Sequence, residues 1–323
     1  MKTFLKIFAI AFLCFVVAMG AGMWAFLKFY DTSNHVAVGK EDSDMSVDVV
    51  DSEKEKEEEE QEKKSELERL IDESKRTNIL LLGMEGPRTD TMIFASFDPK
   101  SKKLDLLSIP RDTYYERKGH PSADKKKINA VYGDEGTKGT VAAVSDVLKG
   151  VPIDYYVKVT YQGVERIVDS LGGVKVTIPM DMDYDDVYDH PPLHIHLRKG
   201  TQVLNGKQAV QFLRFRKNND GGGYPDGDLG RMKTQQQFVK AALEKVFSFR
   251  LPVVANTVFK YVKTDMPLTD IVMMAKDAVG MSKDHVTTYS LPGKAAYNGV
   301  SYFLHDRDKT EELLIEIYRQ KSE

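Results

Sequence analysis

Residues 78–115, NILLLGMEGPRTDTMIFASFDPKSKKLDLLSIPRDTYY, decide the fold class. Three apolar runs of β length, Asn78–Leu82, Thr91–Asp98 and Lys103–Ile109, are bounded by turn formers: Gly83 to Pro87, Asp98-Pro99-Lys100, and Pro110. They read as three strands joined by tight connections. Charged residues collect at the strand ends, with Glu85, Arg88 and Asp90 in the first loop and Arg111 and Asp112 after the third strand. Two arginines beside several carboxylates at the mouth of an apolar sheet point to an anionic ligand, with a metal ion as a possible companion.

Outward from that stretch, the chain alternates. Gly139–Leu148 reads as a helix, Asp154–Tyr161 as a strand and Gln162–Ser170 as a helix, before Gly172-Gly173 break the pattern. Val174–Ile178 is a strand, Gly206–Arg214 and Gly230–Phe249 are helices, Leu268–Val279 is a third, and Val286–Leu291 is a late strand. Strands alternating with helices long enough to cover both faces give an α/β class, a central mixed sheet flanked by helices in an α/β/α arrangement. No period of 20–50 residues repeats. The chain has one cysteine, Cys14, so no intramolecular disulfide supports the fold.

The formal net charge of −3 is unevenly spread. Residues 1–30 hold three lysines and no acid, whereas residues 31–76 hold 17 acids against 8 bases, which leaves residues 77–323 mildly basic. Ile7–Leu27 is an uncharged apolar stretch, and as a helix at ~1.5 Å per residue it reaches ~30 Å, a bilayer core. It is longer than the apolar region of a usual signal peptide, although Ala18-Met19-Gly20 resembles a weak cleavage site. Lys2 and Lys6 precede it and acids follow it, so a single-pass anchor with a short cytoplasmic tail (1–6) and the bulk of the chain outside is expected. Residues 28–76 read as an acidic stalk and residues 77–323 as the functional domain.

The motifs NILLLG, RTDTM and LSIPRDT resemble the opening signature of the LytR-CpsA-Psr family. Leu171-Gly172-Gly173-Val174, Leu204-Asn205-Gly206 with Ala209, Arg214-Phe215-Arg216 and Gly227-Asp228-Leu229-Gly230-Arg231 follow in the family's order, so the resemblance runs from about residue 77 to 305. It implies a phosphotransferase that moves a glycopolymer, teichoic-acid-like or capsular, from a polyprenyl-pyrophosphate lipid onto peptidoglycan. It also implies a hydrophobic tunnel for the lipid, whose lining periodicity does not distinguish from ordinary core.

Arg88, Arg111, Arg214, Arg216 and Arg231 stand at motif positions that look like the family's pyrophosphate-binding arginines, and Gln235 matches as well. A guanidinium grips phosphate oxygens with two prongs, which lysine cannot copy, yet any one of these arginines could equally pair with a surface carboxylate. Residues two apart point about 200° apart on a helix, so Arg214 and Arg216 reach one ligand only if the helix ends near Leu213. Asp90 is the first choice as magnesium (or manganese) ligand or as base toward the acceptor hydroxyl, with Arg111 beside it as the second catalytic residue. Glu85, the second metal candidate, stands where the family more often has aspartate. Asp228 reads as an orienting partner for an arginine. Thr234 is a further departure, at a place where many members carry arginine.

Three other segments carry weaker signals. His190, His194 and His196 in DHPPLHIH invite a zinc reading, since two of them on a strand would share a face, but the ligand set is incomplete. The acidic run Asp181–Asp189 reads as a solvated loop at the rim of the site. Gly221-Gly222-Gly223 reads as a lid or a plain linker. Two rival functions remain open at this level. A non-catalytic binder of wall polymer would use the same arginines. A membrane-bound transcriptional attenuator, as the family's name implies, lacks a visible helix-turn-helix and a strongly basic face, so no nucleic-acid partner is expected.

Overall fold

The three apolar runs form an antiparallel meander at the centre of a six-stranded sheet. In the computed structural model, which describes residues 64–189, 192–247 and 260–319, the meander follows a short helix α1 (Glu66–Glu73) and consists of β1 (Thr77–Glu85), β2 (Arg88–Asp98) and β3 (Lys103–Ile109). After it come α2 (Val131–Val147), β4 (Tyr155–Thr160), α3 (Tyr161–Ser170), β5 (Val174–Ile178), β6 (Met182–Asp186), β7 (Leu193–Leu197), β8 (Gly200–Leu204) and α4 (Gly206–Arg214). The last third holds α5 (Asp228–Phe247), β9 (Val262–Thr264), α6 (Leu268–Asp277), β10 (Val286–Ser290), the hairpin β11 (Gly293–Asn298) and β12 (Val300–His305), and α7 (Arg307–Arg319).

Strand order in the main sheet is β10-β3-β2-β1-β4-β9. β4 pairs with β1 and β10 with β3 in parallel, while β9 runs antiparallel to β4, so the sheet is mixed as the alternation predicts. Period-two alternation sends Leu80, Leu82, Phe94 and Leu107 to one face, where α1, α2 and α7 cover them, and Ile79, Ile93 and Leu106 to the other, under α5 and α6. Leu80, Phe94 and Leu107 form a cross-strand row without solvent exposure. Burying each such side chain contributes about 1.5–3 kcal/mol, which pins the register of the three central strands.

A second core lies between β5/β8, β6/β7, α3 and α4, around Val174, Ile178, Ile195, Leu204 and Phe212. The Asn205–Gln208 capping box starts α4, and Thr160 caps α3 by accepting from the Gly163 amide at 3.2 Å.

Several expectations change. Arg88 to Asp90 do not lie in a loop: β1 and β2 extend toward each other until only Gly86-Pro87 separates them, with Gly86 at φ +55°, the conformation a two-residue hairpin favours. Residues 182–186 of the acidic run form a strand rather than a solvated loop, because Met182 and Tyr184 alternate with acids and pair with β7. Residues 66–76, assigned by composition to the stalk, pack on the domain through Leu67, which is buried, and through the Arg319–Glu66 ion pair. Residues 7–27 lie outside the described residues, among which no helix is long and apolar enough to cross a membrane.

Candidate active site

β1, β3, β4 and β10 all run the same way, and their carboxyl ends open onto one edge of the sheet, where ligands of α/β sheets commonly bind. A cavity of about 700 Å³ sits at that edge. Glu85 enters it from the end of β1, Arg111 from just beyond β3, and Tyr161 from the first residue of α3 after β4.

Asp90 reaches the same cavity by a different device. Gly83 pairs with Thr91 and Met84 with Thr89, so Asp90 is the extra residue of a β-bulge. Bulges re-aim a side chain at the end of a ladder, and this one turns a strand carboxylate toward Arg111. The Arg111 Nη1 donates to Asp90 Oδ1 at 2.8 Å. Burial alone would raise the Asp90 carboxyl, but its hydrogen bond with Glu85 and the Arg111 charge outweigh this and hold it below the usual range. Glu85 moves the other way. Its hydrogen bond with Asp90, then burial and the Asp90 charge, push it up to about 7.

Arg214 bridges the acids from the opposite wall, donating from Nη2 to Glu85 Oε1 at 2.6 Å and to Asp189 Oδ2 at 2.7 Å. Its guanidinium also lies 5.2 Å from the Tyr161 ring centroid, a cation–π contact. Helix α4 ends at Arg214, and Phe215 is extended (φ −59°, ψ 133°) with its ring fully buried against Tyr224. That break lets Arg214 and Arg216 both line the cavity, which meets the geometric condition set by their spacing. Arg231, buried in the first turn of α5, completes a group of four arginines around two carboxylates.

The profile of the LytR_cpsA_psr family matches residues 43–318. The chain belongs to this family. Among its relatives, the polyisoprenyl-teichoic acid–peptidoglycan teichoic acid transferase TagV of Bacillus subtilis is 30% identical over 266 residues, covering 77% of the chain and 66% of TagV. The transferase TagU of the same organism is 28% identical over 312 residues, covering 94% of the chain and 91% of TagU. The chain thus spans just under two thirds of TagV and nearly all of TagU. In three dimensions, the crystal structure of B. subtilis TagV superimposes with a TM-score of 0.64 at 29% identity, over 77% of the chain and 97% of that structure. A structure of TagT bound to LI-WTA does so with a TM-score of 0.59 at 26% identity, over 77% and 91%.

Not every motif position of the LytR_cpsA_psr signature meets in the cavity. Arg88 is exposed, does not line the cavity and contacts Asp124 at 3.5 Å. Gln235 is buried behind the cluster, accepting weakly from Thr91 Oγ1 at 3.4 Å and donating to the Leu213 carbonyl at 3.1 Å, so it braces α5 against β2 and α4. Asp228 begins α5, but its side chain lies outside the described residues. Thr234 is buried and donates to the Gly230 carbonyl within its own helix. The triple glycine is a closed turn, with the Asn218 amide donating to the Gly222 carbonyl.

Tyr161 is a participant that sequence reasoning missed, and Asp189 was placed only within a loop at the rim of the site. The Tyr161 hydroxyl lies 3.5 Å from Asp90 Oδ2, and burial together with the Asp90 and Glu85 charges raises its pKa, so it stays a neutral donor. The available signal was its position, the first residue after a central parallel strand.

Proposed function

We propose that this chain is a membrane-anchored, extracytoplasmic phosphotransferase that moves a teichoic-acid-type glycopolymer from a polyprenyl-pyrophosphate lipid onto peptidoglycan. The observation that carries this reading is the convergence of Arg111, Arg214, Arg216 and Arg231 on the Glu85–Asp90 pair in one cavity. Guanidiniums grip phosphate oxygens with two prongs, several of them suit a pyrophosphate, and relatives spanning most of the chain are named as teichoic acid transferases. The apolar stretch Ile7–Leu27 with its Lys2/Lys6 flank supports the anchor. The older regulator reading finds no support in the site, because the arginines converge in one cavity and form no basic face that could track a nucleic-acid backbone.

Two carboxyls close enough to share a hydrogen bond, one of them raised to about 7, form a donor set suited to a divalent cation in place of the shared proton. Asp90 and Glu85 are therefore the residues that would hold magnesium or manganese. Held there, the ion would supply positive charge to offset that of the phosphates.

The remaining chemistry falls to the protein. Arg214, Arg216 and Arg231 bind and orient the two phosphates, and Arg111 fixes the Asp90 carboxylate. An acceptor hydroxyl of peptidoglycan attacks the polymer-side phosphorus, the bond to the bridging oxygen breaks, and polyprenyl phosphate leaves with that electron pair. The hydroxyl proton passes to the Asp90–Glu85 pair, whose shared proton must be lost first. The Tyr161 hydroxyl keeps the Asp90 carboxylate oriented. The test incubates the full chain in detergent with magnesium, a polyprenyl-pyrophosphate glycan and peptidoglycan fragments, and detects joined product. Lipid binding without any joined product, under conditions where TagU works, would overturn the enzymatic reading.

A further inference from the structure

We propose that the outer face of the β6–β7 hairpin is a binding site for a divalent transition-metal cation of the zinc class, with Asp185, His194 and His196 as ligands. The sequence offers two histidines and, some distance before them, a run of acids. The hairpin brings the two together, since its antiparallel register sets Asp185 opposite His194 and Asp183 opposite His196. Alternation sends these four side chains to the solvent face, while Ile195 is buried in the second core and Tyr184 lines the active-site cavity.

The donor atoms already converge. One atom each from Asp185, His194 and His196 lie within 4.8 Å of one another. His194 Nδ1 is 2.5 Å and His196 Nε2 is 3.3 Å from the same oxygen, Asp185 Oδ1. Zinc bonds to nitrogen and carboxylate oxygen measure about 2.0–2.2 Å, so small side-chain rotations suffice to admit an ion among them. Asp183 Oδ1 lies 3.2 Å from His196 Nδ1, so an Nδ1–H donated to it would free Nε2 to bind an ion beside Asp185. A carboxylate that fixes the tautomer of a ligating histidine is the usual second layer of a metal site. Arg198 in turn donates to Asp183 at 3.0 Å and holds it in that outer role.

The backbone beneath is braced. Asn219 accepts from the Asp185 amide at 2.7 Å and donates to the Asp185 carbonyl at 3.0 Å, and Asn218 accepts from the Asp183 amide at 2.8 Å. Two imidazoles and one carboxylate favour zinc, copper or nickel over magnesium, whose preference is for oxygen alone. The ligands are exposed, so water completes the coordination. Because Tyr184 and Asp186 of β6 and Leu193 of β7 line the cavity from the other face, an ion here ties together the two strands of one cavity wall.

The inference is independent of the transferase reading and is tested by binding. The full chain, purified in detergent and stripped with chelator, is titrated calorimetrically with zinc, and the copper form is examined by electron paramagnetic resonance. One zinc per chain is expected, with magnesium failing to compete, nitrogen hyperfine lines in the copper spectrum, and an affinity loss of at least about tenfold in His194→Gln and in His196→Gln. Glu85→Gln should leave zinc affinity unchanged. Both histidines are exposed, so these variants fold, and circular dichroism verifies it. Zinc affinity unchanged in both histidine variants, zinc lost instead in Glu85→Gln, or no zinc bound at all would each overturn the proposal.

Discussion

Arg111, at the end of β3, holds the bulged carboxylate of Asp90 on β2 through a 2.8 Å hydrogen bond from Nη1. The pair joins two strand ends at the same edge of the sheet, and Arg214 makes the matching contact to Glu85 at 2.6 Å from the far wall. Each acid of the pair thus has its own arginine. The asymmetry lies in what the acids do with them, because Asp90 is held low while Glu85 is pushed up to about 7.

Arg111→Lys keeps the charge and removes the fork. A lysine placed to satisfy Asp90 cannot also present a planar face of donors to a phosphate. Loss of one good charged contact costs about 1.5–3 kcal/mol, so transfer should fall roughly ten- to hundredfold with the melting temperature little changed. Steady-state kinetics on the lysine variant decide it, and full activity would show that Arg111 makes no phosphate contact that a lysine cannot replace.

Glu85 predicts two pH dependences of opposite sign. The Asp90–Glu85 pair works only after losing its shared proton, whether to hold the ion or to accept the proton of the attacking hydroxyl, so transfer should rise as pH climbs through about 7. For stability, a carboxyl raised in the folded state contributes most below its unfolded value of 4.5, and that contribution is lost as pH rises through about 7. In the absence of divalent cations, thermal stability should therefore decline across that window. Glu85→Gln should flatten both profiles. A rate limb that survives in the glutamine variant would move the base elsewhere.

At the opposite end of β1, Arg76 donates to Asp105 Oδ2 at 2.9 Å and to the Ser96 carbonyl at 3.1 Å, and the two charged side chains are only 4% and 1% exposed. Removing one partner of a buried pair typically costs ~3–5 kcal/mol. Burial already raises the Asp105 carboxyl, so it can take up a proton when abandoned, and the lower end of that range is expected for Arg76→Met. Adding Asp105→Leu should recover most of the loss in urea denaturation. The pair lies the length of a strand from the cavity, so transfer at low temperature should be unchanged in both variants.

β3, β5 and α4 match their sequence bounds residue for residue, because apolar alternation or a capping box defines them and proline, glycine or asparagine marks their ends. The start of β2 was illegible for a physical reason. An exposed Arg88 and an Asp90 aimed at the cavity replace core alternation there, and the bulge that aims Asp90 leaves no residue signature beyond Gly83 across the ladder. The acidic hairpin was hidden in the same way, since acids occupied its solvent face and two prolines preceded its second strand. Arg214 and Arg216 were legible as candidates. Only the extended Phe215 between them shows that both reach one cavity.

Gly83 offers a test of the bulge itself. A Cβ built there would lie 3.0 Å from the Thr91 Cβ and 3.3 Å from its Oγ1, tighter than ordinary packing. Thr91 cannot retreat freely, since its hydroxyl contacts Gln235, and Gln235 in turn holds the Leu213 carbonyl. In Gly83→Ala the ladder should shift by a few tenths of an ångström at the residue that follows Asp90, moving the carboxylate away from Arg111. Misplacement by 1 Å can cost a hundredfold in rate, so a shift of this size should lower kcat about tenfold. The four arginines are untouched, and affinity for the lipid pyrophosphate should hold within about twofold of wild type. Stability should fall by ~1 kcal/mol, the scale of a local packing adjustment. A variant that keeps full kcat would show that the carboxylate needs no bulge to reach its working position, whereas one that loses lipid affinity as well would place the damage in the arginine cluster rather than at Asp90.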